Sequence, residues 1–236
     1  MITDFHSHIL PGIDDGSSSL DESLGLLRME AEQGITRVVA TPHFYPQRDT
    51  PERFLKRRTE AEAALREKMT EEHGLPQLSI GAEVFYFRGM GNSEVLSELT
   101  IDNGNCILVE MAGVPWSNGV YRDLEDLYVK RGVTPIIAHV DRYIAPFRTH
   151  GIPKHLAELP VLVQANASFF LNRFTSGMAL RMLKHKKIHL LGSDCHNLTN
   201  RPPRLGEAYQ QIVRHLGEEA ISYLRWQGNL VFGEDD

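Results

Sequence analysis

The chain is poor in cysteine: Cys106 and Cys195 are the only two among 236 residues. That excludes a disulfide-stapled scaffold and a thiolate metal cluster, and it suits a reducing compartment. Basic charge is not in surplus either. Lys and Arg number 25 against 31 Asp and Glu, a formal net charge of −6. General nucleic-acid binding, which needs a basic surface to release counterions, is thereby disfavoured. No apolar run approaches the ~18 residues of a membrane span. Asp4, His6 and His8 interrupt the place where a signal peptide would carry its apolar region. No Gly/Ser linker divides the chain, and no G-x-G-x-x-G follows the first apolar run, which counts against a dinucleotide fold. These absences lead us to expect one cytoplasmic domain over residues 1–236, with no membrane insertion and no nucleic-acid partner.

Alternation is what the chain does have. Short apolar or β-branched runs at 1–5, 36–40, 78–80, 106–109, 134–138, 161–163 and 188–191 are each followed by a segment with helical signals. Ser19-x-x-Glu22 reads as a capping box and Gly34 as the stop of the helix it opens. Thr50-Pro51 is an N-cap with proline at the first helical position, for a helix running to about His73. Further helices are predicted over 120–131, 153–158, 176–186, 203–216 and 218–226, with a poorly defined loop and short helix near 93–99. Seven strand-then-helix units predict a parallel α/β sheet closed, or nearly closed, into a barrel, with a doubly wound open sheet as the alternative.

In such sheets chemistry gathers at the carboxyl ends of the strands. The residues just past the seven runs are His6 and His8, then His43, Glu83, Glu110, His139, Asn166, and finally Asp194 with His196. In an extended chain residues i and i+2 share a face, so H-x-H and D-x-H can each grip one ion. A lone histidine at a strand end is usually a hydrogen-bonded core or surface residue. Here five of eleven histidines fall on these positions; His73, His150, His155, His185, His189 and His215 fall elsewhere and are assigned ordinary roles. Imidazole with carboxylate, and no clustered thiolate, favours manganese, iron or zinc. With Asp15 the candidate ligands number nine. One ion takes about four to six, so two or three ions are expected. Ions about 3.5–4 Å apart suit phosphoryl or related ester hydrolysis, with Glu83 as the expected bridge. Arg142, three residues past His139, and Arg201, five past His196, are the candidate catalytic phosphate-binding groups. Cys195 to Arg201 also spells C-x5-R, a thiolate-phosphatase signature. Its loop lacks glycine and runs into Pro202-Pro203, and alternation points Cys195 away from Asp194 and His196, so the match is read as accidental.

At these residues the sequence resembles the PHP (polymerase and histidinol phosphatase) superfamily. Within it, it is similar to the bacterial manganese-dependent protein-tyrosine phosphatases of capsular and exopolysaccharide gene clusters. The resemblance rests on Asp4-Phe5-His6-Ser7-His8, the segment from Leu10 to Gly16, Ala40-Thr41-Pro42-His43, Gly81-Ala82-Glu83, Glu110, His139-Val140-Asp141-Arg142-Tyr143 and Ser193-Asp194-Cys195-His196-Asn197. It implies a distorted (β/α)7 TIM-like barrel of the PHP type with a trinuclear centre. One metal would take His6, His8, Glu83 and Asp194, a second Glu83, Glu110 and His139, and a third Asp15, His43 and His196. Asp14 is left as a turn residue, and Arg142 and Arg201 as phosphate binders. Glu110 stands where histidinol phosphatases tend to carry histidine. The implied reaction is attack of a metal-activated hydroxide on phosphotyrosine without a covalent intermediate, manganese being the first choice of metal. The implied partner is the phosphotyrosine-bearing tail of a bacterial tyrosine kinase. Asp141 is a weak candidate for the leaving-group acid, with a surface role expected instead. A phosphoesterase for histidinol phosphate or another small metabolite, and a non-catalytic phosphotyrosine-binding regulator, are the alternatives. A metal-dependent amidohydrolase would call for a lysine at a strand end, and there is none.

Overall fold

The computed structural model describes residues 2–144 and 151–234. The chain begins with β1 (Thr3–Ser7), α1 (Leu20–Glu32), β2 (Arg37–Ala40), β3 (His43–Phe44), α2 (Pro51–Met69), β4 (Gln77–Ile80) and β5 (Glu83–Phe85). Short 3-10 turns lead to β6 (Cys106–Glu110), α3 (Asn118–Arg131), β7 (Thr134–Ile137), α4 (Ile152–Leu156), β8 (Leu162–Asn166) and α5 (Ala167–Leu171). The last elements are α6 (Ser176–Lys184), β9 (Leu190–Gly192), α7 (Leu205–Leu216) and α8 (Glu218–Phe232).

Local chemistry sets most of these boundaries. The Ser19 hydroxyl accepts the Glu22 N–H at 3.2 Å, as an N-cap should. Glu22 reaches back to the Ser18 N–H at 2.8 Å rather than to that of Ser19, so the capping box is displaced by one residue. Gly34 follows α1 with φ 81°, a left-handed conformation that glycine adopts without strain. Thr50 caps α2, which stops at Met69, short of the predicted end, where the Thr70 hydroxyl turns back onto the Glu67 carbonyl. α8 runs six residues past its predicted end because Gly228 packs on Phe5 instead of breaking the helix.

Every strand pairing is parallel. β1, β2 and β4 form one ladder, and β3, β5, β6, β7, β8 and β9 follow in order in another. Ala40 pairs with Ile80 and His43 with Glu83, an offset of 40 residues in both cases. The Gly81 N–H donates to Ala40 and the Glu83 N–H to Pro42, so the ladder continues through the break between β2–β4 and β3–β5. Past β9 the chain returns to β1: Ser7 bridges Cys195, and the Asp194 N–H donates to the His6 carbonyl at 2.8 Å. The result is a mixed α/β fold around a curled parallel sheet.

Phe5, Val39, Leu108, Ile136 and Leu190, from five different strands, form an inner apolar cluster that Val231 at the end of α8 joins. Side chains buried this completely contribute roughly 1.5–3 kcal/mol each. Arg37, at the start of β2, lies over the Phe232 ring at 4.0 Å and pairs with Glu234 at 2.7 Å. That fastens α8 across the amino-terminal end of the sheet and leaves the carboxyl-terminal end for polar groups. Among the described residues no helix is long and apolar enough to cross a membrane.

Candidate metal centre

β1 loses register between Asp4 and Ser7, and the His6 N–H is taken by the Asp4 carboxylate at 3.0 Å. Such a bulge re-aims side chains. It leaves His6 Nε2 3.1 Å from His8 Nε2, both side chains fully buried. Glu83, the first residue of β5, faces four imidazoles. Its Oε2 lies 3.2 Å from His6 Nε2, 3.3 Å from His8 Nε2 and 2.9 Å from His43 Nδ1, and its Oε1 lies 2.8 Å from His139 Nε2. Asp194 Oδ1 stands 3.5 Å from His8 Nε2 and 3.7 Å from His6 Nε2. Asp15, two-thirds exposed, stands 3.5 Å from both His43 Nε2 and His196 Nε2. Glu110 reaches within 3.8 Å of His43 and of His139. All nine residues singled out by the sequence therefore meet at one place.

Three compact groups stand out: His6, His8 and Asp194; His43, Glu83 and Glu110; and His8, Asp15, His43 and His196. They overlap the three sets implied by the resemblance without matching them. His8 also joins the Asp15 group, and His43 stands with Glu83 and Glu110 where His139 was expected. A divalent ion fits these donors on an internal criterion. Among the described residues, His43 Nδ1, Glu83 Oε2 and His196 Nε2 are buried without a hydrogen-bond partner. An unmet buried polar group costs about 1–3 kcal/mol, and cations held in the two groups that contain these atoms would satisfy them.

The charges agree with that donor set. Burial alone would push the Glu83 and Asp194 carboxyls up, but the charge of His6 and hydrogen bonds from neighbouring imidazoles hold both well below the carboxylate range. Conversely, burial would lower His6 and His8, yet Glu83 and Asp194, joined for His8 by Asp14, raise them. His196 is drawn down to about 4 by burial, His8 and Arg201, so it is a neutral ligand at physiological pH. His139 (φ 31°) and Asp194 (φ 55°) both take left-handed backbone. Outlying conformations of this kind cost about 1–3 kcal/mol and concentrate at functional sites.

Several supporting roles escaped the sequence reading. Asp14 is a turn residue as expected, accepting the Gly16 N–H at 2.9 Å. It is also more than that: its other oxygen lies 2.8 Å from His8 Nδ1 and accepts the His43 N–H, and its carboxyl is drawn down to about 2 as burial is outweighed by His8. Gln164 Oε1 faces His6 Nδ1 at 3.2 Å and accepts the His139 N–H at 2.6 Å. The Tyr143 hydroxyl stands 3.2 Å from His139 Nδ1, and Asn166 donates to Asp194 at 2.9 Å. Each fixes the ring or carboxylate behind a candidate ligand. Two glycines make the closeness feasible: a Cβ on Gly16 would lie 2.2 Å from the His8 carbonyl, and one on Gly192 2.5 Å from the His6 Cβ. Gln164 did leave a signal, as a polar residue two before Asn166 in an otherwise apolar strand.

Arg142 and Arg201 converge on Asp194, Arg142 donating to one oxygen at 2.7 Å and Arg201 pairing with the other at 2.8 Å. Both stay about two-fifths exposed, so each guanidinium keeps N–H groups free for a ligand. Asp141 is half-buried: burial raises its carboxyl, which accepts the Asn166 N–H at 3.2 Å. Cys195 is fully buried and its thiol is pushed well up by burial and by Glu30 and Asp4. Of the other histidines, His150 lies outside the described residues. His189 is drawn down to about 4 by burial and accepts the Val163 N–H, while His155 stacks on Tyr121.

Residues 2–229 match the family model of capsular polysaccharide synthesis proteins CpsB/CapC. The tyrosine-protein phosphatase CpsB of Streptococcus agalactiae is 30% identical over 232 residues, covering 94% of this chain and 93% of that protein. The tyrosine-protein phosphatase YwqE of Bacillus subtilis is 27% identical over 226 residues, covering 92% and 85%. A solved chain from work on YwqE of Bacillus subtilis and CpsB of Streptococcus pneumoniae, described as unique metal-dependent tyrosine phosphatases, superposes with a TM-score of 0.86 at 23% identity. It covers 99% of this chain and 96% of that one, a likeness of fold.

Proposed function

The chain belongs to the CpsB/CapC capsular polysaccharide synthesis family, and we propose that it is a metal-dependent protein-tyrosine phosphatase of the PHP type. One observation carries the reading: five imidazoles and four carboxylates converge on orphaned buried atoms beside two half-exposed arginines. The relatives' names supply the substrate class. Residues 1–236 are taken as one domain, and the seven strand paths with their returning β9–β1 seam as a distorted (β/α)7 barrel. The substrate is read as the phosphotyrosine-bearing tail of a bacterial tyrosine kinase, met in the cytoplasm.

His6, His8, Asp15, His43, Glu83, Glu110, His139, Asp194 and His196 would hold two or three divalent ions, manganese first, with iron or zinc as alternatives. Such ions supply charge for phosphoryl oxygens and lower the pKa of water to about 7. The protein's own part is to orient. Glu83 keeps four imidazoles turned inward, and Asp14, Gln164 and Tyr143 fix three of those rings from behind. Arg142 and Arg201, steadied on Asp194, present the planar fork that matches phosphate oxygens. Burial and a thiol pushed well up count against Cys195 as a nucleophile, and the reading takes water as the attacking group without a covalent phospho-enzyme.

Chelation should abolish hydrolysis of a phosphotyrosine peptide and added manganese should restore it; turnover that survives complete metal removal would sink the reading. Histidinol phosphate, tried beside the peptide, should be the poorer substrate by kcat/KM. Arg142→Ala and Arg201→Ala should each raise KM for the peptide, and unchanged kinetics would return both to surface ion pairs.

A further inference from the structure

A groove of roughly 630 Å³ runs from the metal centre to α2, sharing Asp15 and His43 with the candidate ligands. Its far wall is made by Tyr45, Arg48, Arg53 and Arg57, with Asp49 the one carboxylate on that side. Arg53 and Arg57 are four residues apart on α2 and so share a helix face. Arg57 is committed to the fold, donating to the Ile13 carbonyl at 2.9 Å and pairing with Asp49. Asp49 is further engaged by the Thr50 N–H, and Arg53 stands off it at 3.5 Å with three-quarters of its side chain exposed. The exposed Arg48 guanidinium lies over the Tyr45 ring at 5.2 Å. Glu52 and Lys56, next along α2, do not line the groove. Three guanidinia thus share the far wall with Asp49, while the other two lining carboxylates stand at the metal-centre end, Asp14 tied to His8 and Asp15 among the candidate ligands. Tyr45 separates them from the ligands, its ring 5.0 Å from that of His43.

We propose that this groove binds a second anionic group on the substrate chain, a carboxylate or another phosphate within a few residues of the phosphotyrosine being hydrolysed. Arg48 and Arg53 supply the free charge, Arg57 and Asp49 hold the wall in place, and Tyr45 spaces the two anions apart. The inference rests on the phosphatase reading and adds a substrate preference to it. Exposed charge pairs are individually weak, so selectivity is expected to come from two arginines acting together.

The test uses the full-length, manganese-loaded protein and three phosphotyrosine peptides: neutral flanks, glutamate flanks, and a second phosphotyrosine. Failure to hydrolyse any of them, or p-nitrophenyl phosphate, overturns the phosphatase reading itself. If hydrolysis occurs, kcat/KM for an anionic peptide should exceed that for the neutral one by roughly three- to tenfold. The larger gain tells carboxylate from phosphate as the natural anion. In the Arg48→Ala/Arg53→Ala double variant this ratio should fall towards one, and Arg53→Glu should push it below the wild-type value. Because the ratio is internal to each variant, partial misfolding does not mimic the result. A wild-type ratio near one for both anionic peptides, or a ratio that survives in the double variant, overturns the groove.

Discussion

Two buried acid clusters share β1 and the β9 seam, and they hold their protons in opposite ways. On one side Glu83 and Asp194 face imidazoles and are held ionised. On the other, Asp4, two residues ahead of His6, meets Glu30 of α1 and Cys195, which sits between Asp194 and His196. There burial and the charge of Asp4 push the Glu30 carboxyl well up, and both Glu30 oxygens lack a donor. Glu83 and Asp194 are buried much as Asp4 and Glu30 are. What separates them is the imidazoles: with them the acids keep negative charge that a cation can use, and without them an acid keeps a proton. Asp4 belongs to both regions, since its carboxylate also takes the His6 N–H and the Ser193 N–H and hydroxyl. The second cluster thereby braces the strand that carries the first.

The largest effect should come from making the imidazole side resemble the other. Glu83→Gln removes the charge that faces His6, His8, His43 and His139. Loss of metal and a fall in kcat on the order of 10³-fold are expected. Elemental analysis beside a phosphopeptide assay checks both, and a variant that keeps its metal and its rate would contradict the central place given to Glu83.

Next in size is Asp14→Ala, which leaves the ligands alone and frees His8 Nδ1. Losing such a support costs about 10–100-fold in metal affinity, read by manganese titration; an unchanged affinity would make Asp14 a turn residue only. The same titration run against pH tests the electrostatics. His6 and His8 have raised pKa values in the metal-free site, so they hold protons to a higher pH than usual and a metal must displace them. Affinity should therefore fall as pH drops, and a flat profile would mean that these rings are already neutral.

The sequence carried the ligands better than their supports. H-x-H, T-P-H and D-x-H stand at the ends of apolar runs, so period-2 alternation and strand-end placement were enough to collect eight residues from six strand ends, while Asp15 was assigned through the resemblance of its loop. Asp14 could not be separated from its turn role by spacing, because its contact with His8 depends on how the loop folds back over Gly16. The short strands β3 and β5 were missed because they lie beyond the apolar runs, continuing a ladder whose register was set upstream. α5 was missed for a similar reason, as it follows β8 directly without a turn signal. Asp141 is half-buried, and its partner, the Asn166 backbone N–H on a neighbouring strand, left no signal in the sequence.

Glu30→Gln probes the other cluster and should be milder. The folded Glu30 carboxyl titrates above its ordinary value of 4.5. Between those two values the native state binds more protons than the unfolded chain, so stability falls as pH rises through that window. Glutamine is neutral in both states and its amide can donate to Asp4. The variant should keep turnover within a few-fold, and its Tm should gain on the parent as pH is raised from about 5 to about 8. A Tm difference that does not change with pH would mean that Glu30 is ionised in the native state.

Cys195→Ser should change least, and it separates the two regions most sharply. Asp194 and His196 on either side of Cys195 turn to the imidazole cluster, while its thiol turns to Asp4 and Glu30. A serine hydroxyl there meets two carboxyls that can accept its hydrogen bond, which offsets the cost of burying a more polar group. Turnover of a phosphotyrosine peptide should stay within a few-fold and the metal content should not change. Thiolate chemistry through Cys195 and Arg201 would instead predict complete loss with the metal still bound, so one assay with one elemental analysis tells which side of β1 performs the reaction.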